Sequence, residues 1–226
     1  MAIASAAPPR PGRLIAWLVF VLALTALAYA GQLSDEESAD DIAYRYEYGV
    51  AAAVQYVVML GILLLIARGL PLRGIFALRR PASWPRALGL LVLALVAIWG
   101  LSAAVSPFLD ATEEQGLVPE EWDSSRAGAF ALFFVVVTFA APVVEELTYR
   151  GLGFTLLAPY GTWVAILGTG VLFGLAHGLI VALPILAFFG VAVGWLRERT
   201  DSLYPPVLLH AFFNGTALIV SVSGVG

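Results

Sequence analysis

The sequence has no cysteine and no lysine, and only 12% of its 226 residues are charged. Without cysteine the chain cannot form disulfide bonds, use a thiol nucleophile or bind a metal through thiolates. It also has no glycine-rich phosphate-binding loop, no internal repeat and no low-complexity linker. The formal net charge is −4, and we expect no nucleic-acid partner.

What the chain has instead is apolar sequence, with 61% hydrophobic residues and a mean hydropathy of +0.91. A soluble domain of this size could not bury so much apolar surface, and long apolar runs are typical of transmembrane helices. The runs are continuous, which favours helices over a β-barrel. We therefore predict an all-α, polytopic transmembrane helix bundle of about seven spans, within a range of six to eight. The predicted spans are residues 14–31, 49–67, 87–108, 127–147, 163–177, 179–196 and 203–222.

The first apolar segment follows Arg10 and Arg13 and ends in the sequence Ala28-Tyr29-Ala30. A basic flank, an apolar run and a small-residue ending also resemble a secretory signal peptide. The run is long for a signal peptide, however, and further spans follow it. We therefore favour a retained first helix.

Charges in the loops predict the orientation of the bundle. The loop 68–86 carries five arginines and no acid, whereas the stretches 32–48 and 109–126 each carry six acids and one arginine. Because basic loops stay in the cytoplasm, we expect the amino terminus, loop 68–86 and the turn 197–202 to be cytoplasmic. The acidic stretches would face outward. We expect an integral protein of a bacterial plasma membrane.

Glycines recur at four-residue spacing in the last third of the chain. They are Gly170, Gly174 and Gly178, followed by Gly190 and Gly194. Such spacing lets membrane helices approach each other closely. The pattern predicts that the helix before His177 packs tightly against a neighbour.

Few ionisable residues fall inside the apolar segments. They are two adjacent glutamates, Glu145 and Glu146, and both histidines of the chain, His177 and His210. Insertion of an acidic side chain at the centre of a membrane helix costs roughly 2.5–3.5 kcal/mol. Ionisable groups at this depth usually face a protein interior or a water-filled cavity, and they commonly have a function.

Each of these residues also has an ordinary structural explanation. Glu146 and Arg150 are four residues apart and could simply pair on one helix. A lone histidine in a membrane helix is often a packing residue, Asn214 could bond to a neighbouring helix, and Phe173 could belong to the core. All these explanations would have to hold together, and no other span carries a comparable set. The combination therefore favours a functional site.

Helical spacing groups these residues further. His210 and Asn214 share a helix face, as do Phe173 and His177. The sequence Ala158-Pro159-Tyr160-Gly161 predicts a hairpin between Glu145 and His177, and the two hairpin arms differ in length by only about 3 Å. Glu145 and His177 would then lie at similar depth. A straight helix after His177 would leave it deeper than His210, so we expect a tilt or a break near Pro184.

Three short motifs occur in order on successive apolar segments. EELTYR (Glu145–Arg150) fits the pattern EExxxR, FGLAH (Phe173–His177) fits FxxxH, and HAFFN (His210–Asn214) fits HxxxN. In this order they resemble the CPBP family, which comprises type II CAAX prenyl endopeptidases and bacterial relatives linked to bacteriocin processing and self-immunity. The resemblance makes residues 127–222 a catalytic helix core, and residues 1–126 the preceding transmembrane helices without motifs, within one integral membrane domain.

The resemblance implies an intramembrane endopeptidase of the CAAX type, a hydrolase that acts near the cytoplasmic face. Glu145 would be the catalytic glutamate, and His177 would help it to activate water. His210 and Asn214 would stabilise the tetrahedral intermediate. The supporting residues would be Glu146, Arg150 and Phe173.

A metal requirement stays open at this point. Glu145, His177 and His210 would make a plausible catalytic zinc set, and the family is often described as metalloproteases. The sequence has no HExxH motif, and the three ligands would come from three helices. A metal-free mechanism uses the same residues, and we favour it slightly.

Two other functions compete with the protease. A bacteriocin self-immunity or scaffold protein could carry the same motifs without catalysis. A proton-coupled transporter could also use buried Glu and His, but the early spans lack polar partners and the sequence shows no two-halves symmetry. The expected partners are the lipid bilayer and a hydrophobic or lipidated peptide substrate.

Overall fold

A computed structural model of the chain describes residues 11–33, 41–109, 119 and 121–223. Regular structure in these ranges is helical, and short 3₁₀ turns join some of the helices. The eight helices that we number are α1 Pro11–Gln32, α2 Tyr46–Ile66, α3 Leu72–Ile75, α4 Trp84–Val105, α5 Ser124–Tyr160, α6 Thr162–Leu175, α7 Leu183–Thr200 and α8 Tyr204–Val222.

Five of these helices, namely α1, α2, α4, α5 and α8, are long and apolar enough to cross a membrane. Together they make the chain an integral membrane protein. The predicted count of about seven spans is not confirmed. The predicted span 163–177 corresponds to α6, which has only 14 residues, and the span 179–196 corresponds to α7, whose last turn carries Arg197 and Arg199.

Helix α5 is longer than the sequence indicated. We predicted a span over 127–147, but one helix of 37 residues covers this range and continues to Tyr160. Two π-helical segments, Val136–Ala140 and Leu147–Gly153, interrupt its α-helical geometry. The helix ends as predicted at the hairpin, where Gly161 has a φ of 130° that favours glycine.

The first π-helical segment leaves one carbonyl group without its helical donor. Ala141 donates its backbone N–H to Val136, five residues earlier. The next residue, Pro142, has no N–H to offer to Val137. The side chain of Asn214 on α8 donates to that carbonyl instead, at 3.0 Å.

Helix α7 begins later than the predicted span. It starts at Leu183 with Pro184 in its first turn, where proline is well tolerated because the first N–H groups have no helical partner. Residues 176–182 form a loop that carries His177 between α6 and α7. The predicted break near Pro184 is therefore a helix start. The predicted turn at 197–202 is shorter, because α7 continues to Thr200 and Asp201 turns the chain with a φ of 48°.

The predicted close packing of the helix before His177 is confirmed. A Cβ atom placed on Gly170 would lie 2.6 Å from the backbone nitrogen of Val191, and one on Gly174 would lie 2.8 Å from that of Ala187. Only glycine fits at such distances. The crossing brings α6 and α7 together beside the π-helical part of α5.

Helix α1 contributes a tryptophan to the centre of the bundle. Trp17 is fully buried, and its indole N–H donates to the carbonyl oxygen of Thr148 at 3.0 Å. Thr148 lies in the second π-helical segment, and the carbonyl group of Arg150 in the same segment accepts from Arg197 at 3.2 Å. The irregular turns of α5 thus bind side chains from α1 and α7.

The two ends of the bundle differ in charge. At one end, Arg79 pairs with Asp201, Arg197 approaches Asp201 at 3.3 Å, and Arg13 donates to the carbonyl of Arg68. We call this the arginine end. The other end, called the acidic end, carries Asp41 and Asp123, which both pair with Arg126, at 2.8 and 2.5 Å. Residues 34–40, 110–118 and 120 of the acidic stretches, and residues 1–10, lie outside the described residues.

Candidate active site

The two adjacent glutamates of α5 occupy different environments. The side chain of Glu146 is fully buried, whereas that of Glu145 is 13% exposed. Consecutive helical residues point about 100° apart, so the two carboxylates face different neighbours. This separation gives two chemically similar groups two different surroundings.

Glu146 is held by a buried ion pair and an imidazole. Its Oε1 atom accepts from Arg150 and contacts Nδ1 of His210, both at 2.9 Å. Arg150 also donates to the carbonyl of Gly190 at 2.8 Å, and its guanidinium lies 4.6 Å from the centre of the Phe173 ring. Oε2 of Glu146 and Nε of Arg150 have no hydrogen-bond partner within the described part of the chain.

Glu145 faces a tyrosine and the second nitrogen of His210. The hydroxyl of Tyr56 on α2 donates to Oε1 of Glu145 at 2.7 Å. Oε2 lies 3.8 Å from Nε2 of His210, too long for a hydrogen bond. The imidazole of His210 thus lies between the two carboxylates, bonded to Glu146 and close to Glu145.

His177 has a defined tautomer when neutral. Its Nδ1 atom lies 2.8 Å from the carbonyl oxygen of Phe173. A carbonyl group only accepts hydrogen bonds, so Nδ1 carries the hydrogen. Nε2 of the neutral ring then has a free lone pair, which can accept a proton or hold a water molecule.

Phe173 lies in an aromatic cluster that fixes both histidines. Its ring centre is 4.7 Å from that of His177 and 5.6 Å from that of His210. Tyr149 and Phe189 pack against it at 5.4 and 5.5 Å. Phe173 is 1% exposed, so this aromatic residue of the FxxxH motif supports the two imidazoles from a buried position.

A cavity of about 480 Å³ connects these residues. Glu145, Phe173, His177, His210 and Asn214 all line it, as does Tyr56. The remaining lining is mostly apolar and comes from α1, α5, α7, α8 and the loop after His177. Five of the seven site residues predicted from the sequence therefore share one cavity, and Glu146 and Arg150 are buried behind it.

A second cavity of about 680 Å³ reaches the same site from the side. It is bounded by residues of α1 and α2, and Tyr56, Glu145 and His177 line it as well. The two cavities meet at these three side chains. Tyr56 is a residue of this candidate site that the sequence motifs did not predict. Its signal is a polar Gln55-Tyr56 pair in the middle of an otherwise apolar span.

The proposed zinc ligands do not form a compact set. Within the described ranges, no three His, Cys, Asp or Glu side chains lie close enough together to hold a metal ion. Nδ1 of His210 bonds to Glu146 and Nδ1 of His177 to a carbonyl, so only the Nε2 atoms would be available as ligands. The arrangement shown does not fit a zinc site, and the mechanism below takes no step through a metal.

By its fold and by this arrangement of side chains, the protein is a membrane helix bundle with a buried site of carboxylates and imidazoles. Residues 127–216 match the model of the family described as type II CAAX prenyl endopeptidase Rce1-like. The three motifs predicted this relationship, and the match supports it for residues 127–216. The matched region contains all seven predicted site residues, whereas Tyr56 lies before it.

No curated protein and no solved structure matches the chain.

Proposed function

We propose that the protein is an intramembrane endopeptidase in which Glu145 activates water for attack on a peptide bond. The observation that carries this proposal is the position of Glu145: its carboxylate reaches a cavity that also contains two imidazoles. The match of residues 127–216 to a family of endopeptidases supports a hydrolase. The proposed catalytic unit is the helix core 127–222, completed by Tyr56 from the preceding helices.

Glu145 is the proposed general base. A water molecule bound to its carboxylate loses a proton to it as the water oxygen forms a bond with the carbonyl carbon of the substrate. The hydrogen bond from Tyr56 occupies Oε1, which leaves Oε2 as the atom that accepts the proton. His177 holds the attacking water through the lone pair of Nε2, since a base must lie within hydrogen-bond reach of its proton.

His210 is the proposed donor to the oxyanion. Glu146 lies at Nδ1 and Glu145 near Nε2, and in this proposal the ring carries a hydrogen on both nitrogens. A protonated ring donates from both nitrogens, so Nε2 can stabilise the negative charge that develops on the substrate oxygen. Donors fixed in place before the reaction contribute much of the catalytic effect of many enzymes.

Asn214 is the proposed second donor. One of its two amide hydrogens is used by the carbonyl of Val137, and the other remains for the cavity that the side chain lines. Because the bond to Val137 fixes the amide plane, the second hydrogen points in a constant direction. This preorganisation would suit the transient charge of a tetrahedral intermediate.

Collapse of the intermediate completes the proposed reaction. The proton taken up by Glu145 passes to the nitrogen of the scissile amide, the carbon–nitrogen bond breaks, and an amine and a carboxylic acid leave. Glu146 and Arg150 stay paired throughout and hold His210 in place. Phe173 supports the same ring by packing.

The proposed substrate is a hydrophobic or lipidated peptide within the bilayer. The family description is that of a CAAX prenyl endopeptidase, and the apolar cavity suits a lipid-modified chain as well as a plain apolar one. We propose that the protein lies in the plasma membrane of a bacterium, with its amino terminus in the cytoplasm. Glu145 lies 15 residues before the end of α5 at Tyr160 and 21 residues after its start at Ser124, so cleavage would occur nearer the cytoplasmic face.

A cleavage assay tests the proposal. The purified protein, treated with a chelator, is incubated with a library of hydrophobic peptides beside Glu145→Gln and Glu145→Ala, whose folding is checked by circular dichroism. We expect cleavage by the wild type alone. Cleavage by the folded Glu145 variants would overturn the assignment. Activity that returned only with added zinc would make the glutamate and the histidines metal ligands, and a wild type inactive in every state would favour the immunity or scaffold function.

A further inference from the structure

Three of the four side-chain amides of the protein line the cavities of the candidate site. The four are Gln32, Gln55, Gln115 and Asn214. Gln32 and Asn214 line the first cavity and Gln55 lines the side cavity, whereas Gln115 lies outside the described residues. A carboxamide has both donors and an acceptor, as a peptide bond has. These groups are therefore concentrated where a peptide would bind.

Gln55 is the amide whose position the fold does not explain. It lies near the middle of α2, nine residues after Tyr46 and eleven before Ile66, and it is exposed on the surface of the bundle. Among the described residues its side chain bonds only to Sδ of Met59 on the same helix, at 4.0 Å, and a thioether is a weak acceptor. An amide with so poor a partner is costly in hydrocarbon, which indicates a polar partner from outside the chain.

Gln55 lies beside the proposed catalytic base. The next residue in the chain, Tyr56, donates to Oε1 of Glu145 at 2.7 Å, and all three side chains line the side cavity. Each residue of an extended peptide covers about 3.3 Å. Gln55 would therefore meet a bound peptide within a few residues of the bond that Glu145 attacks.

The two cavities leave room for a chain on both sides of Glu145. On α5 the first cavity is lined from Glu145 to Phe133, toward the acidic end. On α2 the side cavity is lined from Gln55 to Ile62, toward the arginine end. Because the cavities meet at Glu145, an extended peptide can occupy both of them with its scissile bond at this carboxylate.

A peptide in this position needs partners for its backbone. An extended chain leaves N–H and C=O groups unpaired, and such groups are costly in mostly apolar surroundings. The regular structure of the described residues is helical, so this part of the chain offers no strand edge for pairing. A glutamine side chain can accept from one backbone N–H and donate to one backbone C=O.

We propose that Gln55 binds the backbone of an extended substrate peptide close to the scissile bond, with its amide oxygen on an N–H group and its amide nitrogen on a C=O group. This inference rests on the proposed hydrolase function and adds a residue that recognises peptide bonds. Acyl chains have neither group, so Gln55 favours peptide over lipid in the side cavity. A contact between two copies of the chain would also satisfy Gln55, but it would cover the cavity that leads to Glu145.

A pair of matched ligands tests the proposal. One is a peptide of alternating leucine and alanine with blocked ends, and the other is the depsipeptide of the same sequence, in which esters replace the amides and remove every N–H. Each is titrated in lipid nanodiscs into Glu145→Ala protein, which should not hydrolyse it, and into the same protein with Gln55→Leu or Val58→Leu. Val58 lines the same cavity from the same helix and is 54% exposed, so Val58→Leu controls for a change of cavity shape.

We expect Gln55→Leu to weaken binding of the peptide by roughly 5- to 10-fold, and binding of the depsipeptide by much less. Val58→Leu should leave the ratio of the two affinities unchanged. The melting temperature of Gln55→Leu should not fall, because leucine suits a lipid-exposed position. An equal loss for both ligands, unchanged affinity for the peptide, or no saturable binding of the peptide would overturn the inference. A dimer that Gln55→Leu converts to a monomer, with peptide affinity unchanged, would make Gln55 a contact between copies.

Binding and cleavage fail separately, because the titrations use a variant that lacks the proposed base. If the wild type cleaves peptides but Gln55→Leu leaves the two affinities unchanged, the hydrolase stands and Gln55 does not bind the backbone. If the affinities follow the expected pattern but no peptide is cleaved, the peptide site stands and the hydrolase proposal fails. If both hold, Gln55→Leu in the active protein should raise KM for a cleaved peptide and leave kcat nearly unchanged.

Discussion

The hydroxyl of Tyr56 donates a 2.7 Å hydrogen bond to Oε1 of Glu145, although 89 residues separate them in the chain. Tyr56 belongs to α2, outside the segment 127–216 that matches the family. The early helices therefore do more than surround the motif helices. One of them supplies a polar contact to the proposed catalytic base.

Replacement of Tyr56 by phenylalanine should lower kcat. The change removes the donor to Oε1 and leaves the ring, so that Glu145 is less well oriented while the cavity keeps its shape. Hydrogen bonds to charged groups contribute about 1.5–3 kcal/mol, which corresponds to a loss of roughly 10- to 100-fold in rate. Steady-state kinetics with a cleaved peptide would measure this. An unchanged kcat, or a change confined to KM, would show that Tyr56 does not position the base.

Replacement of Glu146 by glutamine should destabilise the fold more than the same change at Glu145. The first variant leaves Arg150 buried without its negative partner, and such losses cost about 3–5 kcal/mol. Glu145 is partly exposed and pairs with no arginine among the described residues, so Glu145→Gln should unfold close to the wild type. Thermal unfolding in detergent compares the two neutral variants. Equal melting temperatures would contradict the difference in environment.

A double variant identifies the cause of the Glu146 effect. Glu146→Gln combined with Arg150→Met removes both charges of the buried pair. If the uncompensated guanidinium causes the destabilisation, the double variant should be more stable than Glu146→Gln alone. If the double variant instead loses as much stability as Glu146→Gln and Arg150→Met lose together, packing causes the destabilisation.

Replacement of Gly170 by alanine should disrupt the crossing of α6 and α7. The added methyl group would meet the backbone of α7 at 2.6 Å, and overpacking of this kind costs about 1–3 kcal/mol. Gly89 on α4 is the matched control, since a Cβ there has nothing within 4 Å and alanine favours helices by about 0.5–1 kcal/mol. Gly170→Ala should melt below the wild type and Gly89→Ala at or above it. The reverse order would exclude a close crossing.

The acidic end should lose stability in acid. Hydrogen bonds from Ser125 and Arg126 lower the pKa of Asp123 to about 2 from an ordinary value of 3.8. A carboxyl whose pKa is lowered by folding stabilises the protein above its unfolded pKa, and this contribution is lost as the pH falls toward 2. Melting temperatures between pH 7 and 3 should therefore fall more steeply for the wild type than for Asp123→Asn. Parallel curves would show that the interaction contributes nothing.

Local patterns predicted the parts of the site that depend on nearby residues. Glu146 and Arg150 are one helical turn apart, and their pairing follows from that spacing. The hairpin at Gly161 follows from its proline and glycine. The glycines of α6 predicted its close packing. In each case the cause lies within a few residues of the effect.

Features that depend on distant partners could not be predicted in the same way. Tyr56 looks like a single polar residue until α2 is placed beside α5. The length of α5 was underestimated because Glu145, Glu146 and Arg150 interrupt the apolar run, whereas in the fold the pair of Glu146 with Arg150 lets the helix continue. The span count of about seven is not confirmed, and hydropathy alone does not reveal that α6 has only 14 residues.

The side cavity between α1 and α2 changes how a substrate can be recognised. In the proposed endopeptidase, this mostly apolar space of about 680 Å³ would hold acyl chains between turnovers. An entering peptide exchanges places with lipid, and because lipid tails are as apolar as leucine, the exchange gains little free energy from apolar contact. Selectivity would then depend on the polar side chains that line the cavity, among them Tyr56, Glu145 and His177, and on the shape of the cavity. The surrounding acyl chains would then act as competitive inhibitors of the proposed reaction, at a concentration that the membrane sets.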